Sequence, residues 1–253
     1  MEQRFAGKVV VVTGASSGIG AGIARRFAAE GAALVLAARR MDRLVALAAE
    51  IGADRALPVA TDVTNPDQVR AMIDAGAERF GGIDVLVSNA GVGLVKEFEE
   101  TTAADWRLIM DTDVDSCFFG AQAAVPYLKE SRGSIVQIAS ASGLGGDRRL
   151  TAYNAAKGAV VNLTRGLAFD LGRFGIRVNT VAPSLTGSAE LATKYAGLVE
   201  RFDRRRALAG AGTPADVAGA VTFLASADAR VITGAVLPVD GGITAGSGQP
   251  SLF

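Results

Sequence analysis

A β-branched run, Lys8-Val9-Val10-Val11-Val12-Thr13, leads straight into Thr-Gly-Ala-Ser-Ser-Gly-Ile-Gly (Thr13 to Gly20). A helical pattern carried by Ile23, Ala24, Phe27 and Ala28 follows. Few architectures accommodate that order. The run is continuously apolar rather than alternating, as in a strand buried on both faces. Gly14 permits a tight turn, Gly18 lets backbone approach a pyrophosphate, and Gly20 allows a helix to pack closely. The helix N-terminus, with Ser16, Ser17 and Ile19 in the same loop, offers N–H groups and a positive dipole end to phosphates. The spacing is G-x-x-x-G-x-G rather than the commoner G-x-G-x-x-G, so the flanking strand and helix carry the reading.

The same strand-to-helix rhythm continues to the end of the chain. Further strands are expected at Ala33–Ala37, Arg55–Ala60, Ile83–Val87, Ser134–Ala139, Ile176–Val181 and Ala235–Val239. Helical stretches lie between them, including one long helix from Trp106 to about Leu128 and another from Tyr153 to about Arg173. Regular alternation without linkers or repeats predicts a single α/β domain over 1–253, built on a doubly wound parallel sheet with helices on both faces. A hydrophobic content of 49% supplies enough core for one domain of this length.

The end of the second strand bears on cofactor choice. An acid about 20 residues past the glycine turn would take a ribose 2′-hydroxyl, whereas an arginine accommodates a 2′-phosphate. Ala38 stands in the acid's place and Arg39 and Arg40 follow, which favours NADP(H) over NAD(H), with Arg39 as the phosphate ligand and Arg40 assisting or exposed. Asp62, followed by Val63, is placed to accept from the adenine amino group. Ser88-Asn89-Ala90-Gly91 ends the fourth strand in small residues against which a cofactor can pass.

Chemistry concentrates between Ser140 and Lys157. Tyr153 and Lys157, four apart on a helix, share one face. A cation beside a phenol favours the phenolate, which makes the phenol usable as a general acid or base near neutrality. Ser140 closes the preceding strand and can hold a carbonyl or alcohol oxygen. Histidine is absent and Cys117 is the single cysteine, so His-based triads, His-ligated metals and intrachain disulfides are excluded, and no metal is expected. The formal net charge of +0 suggests neither nucleic acid nor an anionic membrane as partner. No apolar run approaches a membrane span, and a cytoplasmic protein is expected.

The pattern loosens between Pro183 and Pro214. Leu191, Tyr195, Leu198, Val199 and Phe202 recur at helical offsets, and we expect a substrate lid over about 184–212, with ordinary core packing as the alternative. The tail, 243–253, ends in Leu252-Phe253, a pair suited to docking on a neighbouring subunit, with a frayed terminus as the alternative.

These marks together (Thr13–Gly20, Asp62, Ser88–Gly91, Ser140, Tyr153 with Lys157, Pro183 and Asp240-Gly241-Gly242) resemble the short-chain dehydrogenase/reductase family across essentially the whole chain. The resemblance implies a Rossmann-like seven-stranded sheet, hydride transfer with NAD(P)(H), and a homotetramer in which helices around Ala104–Leu128 and Thr151–Arg173 pair between subunits. It makes Tyr153 the acid/base, has Lys157 support it and hold the nicotinamide ribose, and has Ser140 position the substrate oxygen. It places Pro183, Leu185, Thr186 and Ser188 near the cofactor, and Ser142, Ser184, Leu191 and Tyr195 near the substrate. Two departures stand out: Asp113 occupies the usual place of a relay Asn, and Pro183 is followed by Ser184 rather than Gly. Asp113, Ser142–Asp147, Pro183-Ser184-Leu185 and Gly248-Gln249-Pro250 are similar to the acetoin/2,3-butanediol dehydrogenase branch, which points to a small secondary alcohol or vicinal diol and its ketone. The alternatives are a 3-oxoacyl thioester on a carrier protein and, more remotely, a dinucleotide sensor without catalysis.

Overall fold

Seven parallel strands form one sheet in the order β3-β2-β1-β4-β5-β6-β7. The computed structural model describes residues 3–187 and 193–247. The strands are β1 (Val9–Thr13), β2 (Ala33–Ala38), β3 (Ala56–Ala60), β4 (Val85–Ser88), β5 (Ser134–Ile138), β6 (Arg177–Pro183) and β7 (Val236–Val239). The helices are α1 (Gly18–Ala29), α2 (Met41–Ile51), α3 (Pro66–Phe80), α4 (Ala103–Met110), α5 (Ser116–Ser131), α6 (Thr151–Gly172), α7 (Ala196–Asp203) and α8 (Pro214–Ala225).

The continuous valine run of β1 is explained by burial of both sheet faces. Val10 and Val12 join Ile23, Phe27, Leu44, Val217 and Val221 on the face covered by α1, α2 and α8. Val9 and Val11 join Val69, Met72, Ile73, Leu128 and Leu171 on the other, beneath α3, α5 and α6. Strand order reverses between β1 and β4, and in open α/β sheets ligands bind outside the strand C-termini at such a point.

The stretch expected to be one helix from Trp106 to Leu128 is instead two helices joined by a π turn, Asp111–Asp115. Its extra residue turns Asp113 inward to zero exposure, where its Oδ1 accepts from the Val92 N–H at 2.8 Å. Sequence periodicity gives no notice of such a shift, because the residues on either side keep a helical pattern. The apolar stripe expected on the lid is only partly present. Leu198, Val199 and Phe202 lie on α7, which buries none of its residues, while Tyr195 precedes it half-exposed. Leu191 and Ser188 lie outside the described residues, as do Gly248-Gln249-Pro250 and Leu252-Phe253.

A buried polar cluster ties α6 to the sheet. The Thr164 hydroxyl donates to Gln137 Oε1 on β5 at 2.8 Å and lies 2.5 Å from the Thr180 hydroxyl on β6, all three residues being fully buried. Thr164→Val keeps the shape but strands both partners. It is expected to lower the unfolding free energy by about 1–3 kcal/mol, read from the denaturant midpoint. An unchanged midpoint would mean that the cluster does not anchor α6.

Candidate active site

The glycine turn is held from two sides. The Thr13 hydroxyl accepts from the N–H groups of Asn89 (3.0 Å) and Ala90 (3.1 Å), and the Asn89 amide donates to the Thr13 carbonyl at 2.8 Å. The sequence marks Thr13 and Asn89 within their motifs but not the brace between them, which depends on β4 lying beside β1. Gly14 adopts φ +68°, and a Cβ there would stand 2.8 Å from Asn89 Nδ2. At Gly20 a Cβ would meet the Gly14 carbonyl oxygen at 2.3 Å, so α1 packs on the turn only as glycine. Gly18, by contrast, faces open space at φ +55°, as a cradle for a phosphate requires.

Both arginines after β2 are exposed, over the buried Ala38. Arg40 donates to the Ser16 and Ser17 hydroxyls at 2.8 Å each, bridging the end of β2 to the glycine loop. Arg39 acts electrostatically on Asp62. Hydrogen bonds from the Thr64 N–H and hydroxyl hold the Asp62 carboxyl below its usual range. Both end on Oδ1, which leaves Oδ2 for a ligand. Buried Val63 underlies this corner. The open Gly18, the Arg39–Arg40 pair and the available Asp62 oxygen together fit an adenine dinucleotide at the strand ends.

Tyr153, Lys157 and Ser140 meet in a small cleft of about 200 Å³, with Asn89, Gly91, Asp113, Pro183 and Ser184 also on its walls. The Lys157 ammonium lies 5.7 Å from the centre of the Tyr153 ring. Ser140 begins a short 3₁₀ turn, Ala141–Gly143, and its Oγ accepts from the Ser142 N–H at 3.2 Å. Its own proton has no acceptor among the described residues and so is available to a ligand. Ser142 is differently committed, donating to Asp147 Oδ2 at 2.6 Å. A larger cleft of about 980 Å³ adjoins, lined in part by Ser140, Ser142, Ser184, Leu185, Leu198 and Phe202. The Thr186 hydroxyl is turned to the Ser184 carbonyl at 2.9 Å. Tyr195 is not among the residues lining either cleft.

Behind Tyr153 lies a fully enclosed ion pair. Lys157 Nζ stands 2.9 Å from Asp113 Oδ2 and donates to the Ile138 carbonyl at 3.1 Å. Burial disfavours the Lys157 ammonium most strongly, but the Asp113 carboxylate, Tyr153 and Cys117 together outweigh it, and the net shift is upward. Burial also pushes the neighbouring Cys117 thiol up to about 11, so it stays neutral there. A raised lysine stabilises the fold at neutral pH and loses that contribution only as pH climbs past its ordinary value of about 10.4. Asp113→Ala, which leaves the ammonium buried and uncompensated, is expected to cost about 3–5 kcal/mol in denaturant unfolding. Asp113→Asn keeps an acceptor for the Val92 N–H and should cost less. Equal costs would place the whole effect in the lost charge rather than in the acceptor and packing that Asn retains.

Comparisons with known proteins identify the family. Residues 14–244 match the family model described as Enoyl-(Acyl carrier protein) reductase. The chain is 46% identical over 249 residues to a meso-2,3-butanediol dehydrogenase of Serratia marcescens, covering 98% of this chain and 99% of that one. A short-chain dehydrogenase/reductase structure from Brucella melitensis, described as glucose/ribitol dehydrogenase, superposes with a TM-score of 0.90 at 35% identity, covering 96% and 99% of the two chains. A 7α-hydroxysteroid dehydrogenase complexed with NADH and 7-oxo glycochenodeoxycholic acid gives 0.89 at 32% identity, covering 95% and 96%. Relatives of this kind are dehydrogenases acting on CH–OH groups with a nicotinamide dinucleotide, and the chain belongs to the short-chain dehydrogenase/reductase family.

Proposed function

We propose that the protein interconverts a small secondary alcohol, vicinal diols included, and its ketone with NADP(H), using Tyr153 as acid/base. The observation that carries this reading is the convergence of Ser140, Tyr153 and Lys157 on one cleft at the strand C-termini, next to the glycine turn. Similarity to the butanediol dehydrogenase supports the substrate class. The bound nicotinamide supplies the hydride in reduction and takes it in oxidation.

The chain's own residues handle the oxygen and its proton. Ser140, its oxygen already accepting from the Ser142 N–H, donates to the substrate oxygen and holds it beside the Tyr153 hydroxyl. Tyr153 gives its proton to the developing alkoxide in reduction and takes it back in oxidation. Lys157 provides positive charge next to the phenol, and Asp113 with the Ile138 carbonyl fixes the ammonium in place. Arg39 and Arg40 serve the 2′-phosphate, Asp62 the adenine, and Pro183, Leu185 and Thr186 border the nicotinamide end. The segment containing α7 serves as the lid. A homotetramer paired through α5 and α6 is supported by Phe118 and Phe169, the latter 91% exposed on α6. The neutral, buried Cys117 is in keeping with a cytoplasmic setting.

Turnover of diacetyl and acetoin, with NADPH and NADH in parallel, tests the reading. Oxidation of NADPH that disappears in Tyr153→Phe is expected; silence with both cofactors overturns the reading. Arg39→Ala should raise the KM for NADPH about tenfold or more while leaving that for NADH nearly unchanged, since a charged phosphate contact is lost. Equal effects on the two cofactors would remove the phosphate assignment.

A further inference from the structure

The larger cleft is not the one a four-carbon diol calls for. At about 980 Å³ it is several times the 200 Å³ cleft that holds Tyr153, and the two share Ser140 and Ser184. Beyond those serines its walls are apolar, with Leu144 and Leu150 on one side and Leu198 and Phe202 of α7 on the other. Three guanidiniums then line it: Arg148 from the loop after the 3₁₀ turn, and Arg201 and Arg205 from α7 and its end. None of the three has an ion-pair or hydrogen-bond partner among the described residues, whereas the neighbouring arginines do. Arg149 pairs with Glu97, Arg204 with Glu200 and Arg206 with Asp203. Among the described residues the only acid lining the cleft is Asp147, which already accepts from Ser142.

We infer that the physiological substrate is longer than a diol and amphipathic. Its secondary alcohol or ketone lies at Ser140 and Tyr153, an apolar span follows, and a carboxylate or phosphate ends at Arg148, Arg201 and Arg205. The inference rests on the reaction proposed above, which fixes which end enters first. Three like charges facing one cleft concentrate positive potential there, and a guanidinium fork matches a carboxylate or phosphate in a bidentate way. The position of the arginines explains why charge counting along the sequence does not disclose this. Arg148 is distant in sequence from Arg201 and Arg205, and the total charge is zero.

The test compares (ω−1)-oxo acids, from 4-oxopentanoate to 9-oxodecanoate, each with its neutral amide, and uses a phosphate-terminated ketone to separate the two anions. Two readouts are taken: kcat/KM with NADPH, and the dissociation constant from the enzyme–NADP⁺ complex by titration calorimetry. At the best chain length the acid or the phosphate should be preferred over the amide by about tenfold or more, and the preference should shrink as ionic strength rises. The preference should largely disappear when Arg148, Arg201 and Arg205 are replaced together by Gln. Acid, phosphate and amide binding alike at every length, or a preference that survives the triple replacement, would overturn the inference. Acetoin is carried as a neutral control. If it is turned over while no anion preference exists, only this inference fails. If acetoin and every oxo acid are inert, the reaction assignment fails, and the calorimetry still decides the anion site.

Discussion

The ion pair between Lys157 and Asp113 is the contact on which the active site depends. Enclosing two charges costs several kcal/mol each unless geometry and further hydrogen bonds compensate. Here the compensation comes from four parts of the chain. The π turn delivers Asp113, the loop after β4 offers the Val92 N–H, β5 ends in the Ile138 carbonyl, and α6 carries Lys157. Gly91 stands so close that a Cβ would lie 3.0 Å from Asp113 Oδ2 and 3.2 Å from Lys157 Nζ. Moving any one of these pieces would expose or strand a charge.

In the proposed reaction the same pair sets the electrostatics of proton transfer. A lone ammonium beside Tyr153 would present a full positive charge to the phenol. With Asp113 at 2.9 Å behind it, the phenol faces a dipole whose positive end is nearer. The carboxylate also keeps Lys157 protonated despite complete burial. On this account Asp113 is a positioning residue that works through the lysine, its Oδ2 2.9 Å from Lys157 Nζ. A carboxylate here, in place of an amide, trades some field strength at the phenol for a more firmly charged lysine.

Much of this was legible in the sequence because it is written in local patterns. Continuous apolar runs marked the buried parallel strands, glycines with positive φ or tight contacts marked the turn at Gly14 and Gly20, and the i,i+4 spacing marked Tyr153 with Lys157. What escaped was long-range. The π turn leaves no periodic trace, so Trp106–Leu128 read as one helix. The inward aim of Asp113, the bracing of Thr13 by Asn89 and Ala90, and the reach of Arg40 across to Ser16 and Ser17 require strands and loops far apart in sequence to be neighbours. The sequence puts Arg201 and Arg205 in the lid segment, but not their convergence with Arg148 or their freedom from ion pairs, since their salt-bridged neighbours look the same in sequence.

The most direct measurement is the pH dependence of kcat/KM for alcohol oxidation in the wild type and in Asp113→Asn. If Asp113 damps the field of Lys157 at the phenol, the amide variant should reach its plateau at lower pH, shifted by about half a pH unit or more, with the general shape retained. Superimposable profiles would contradict this account and reduce the ion pair to a purely structural contact.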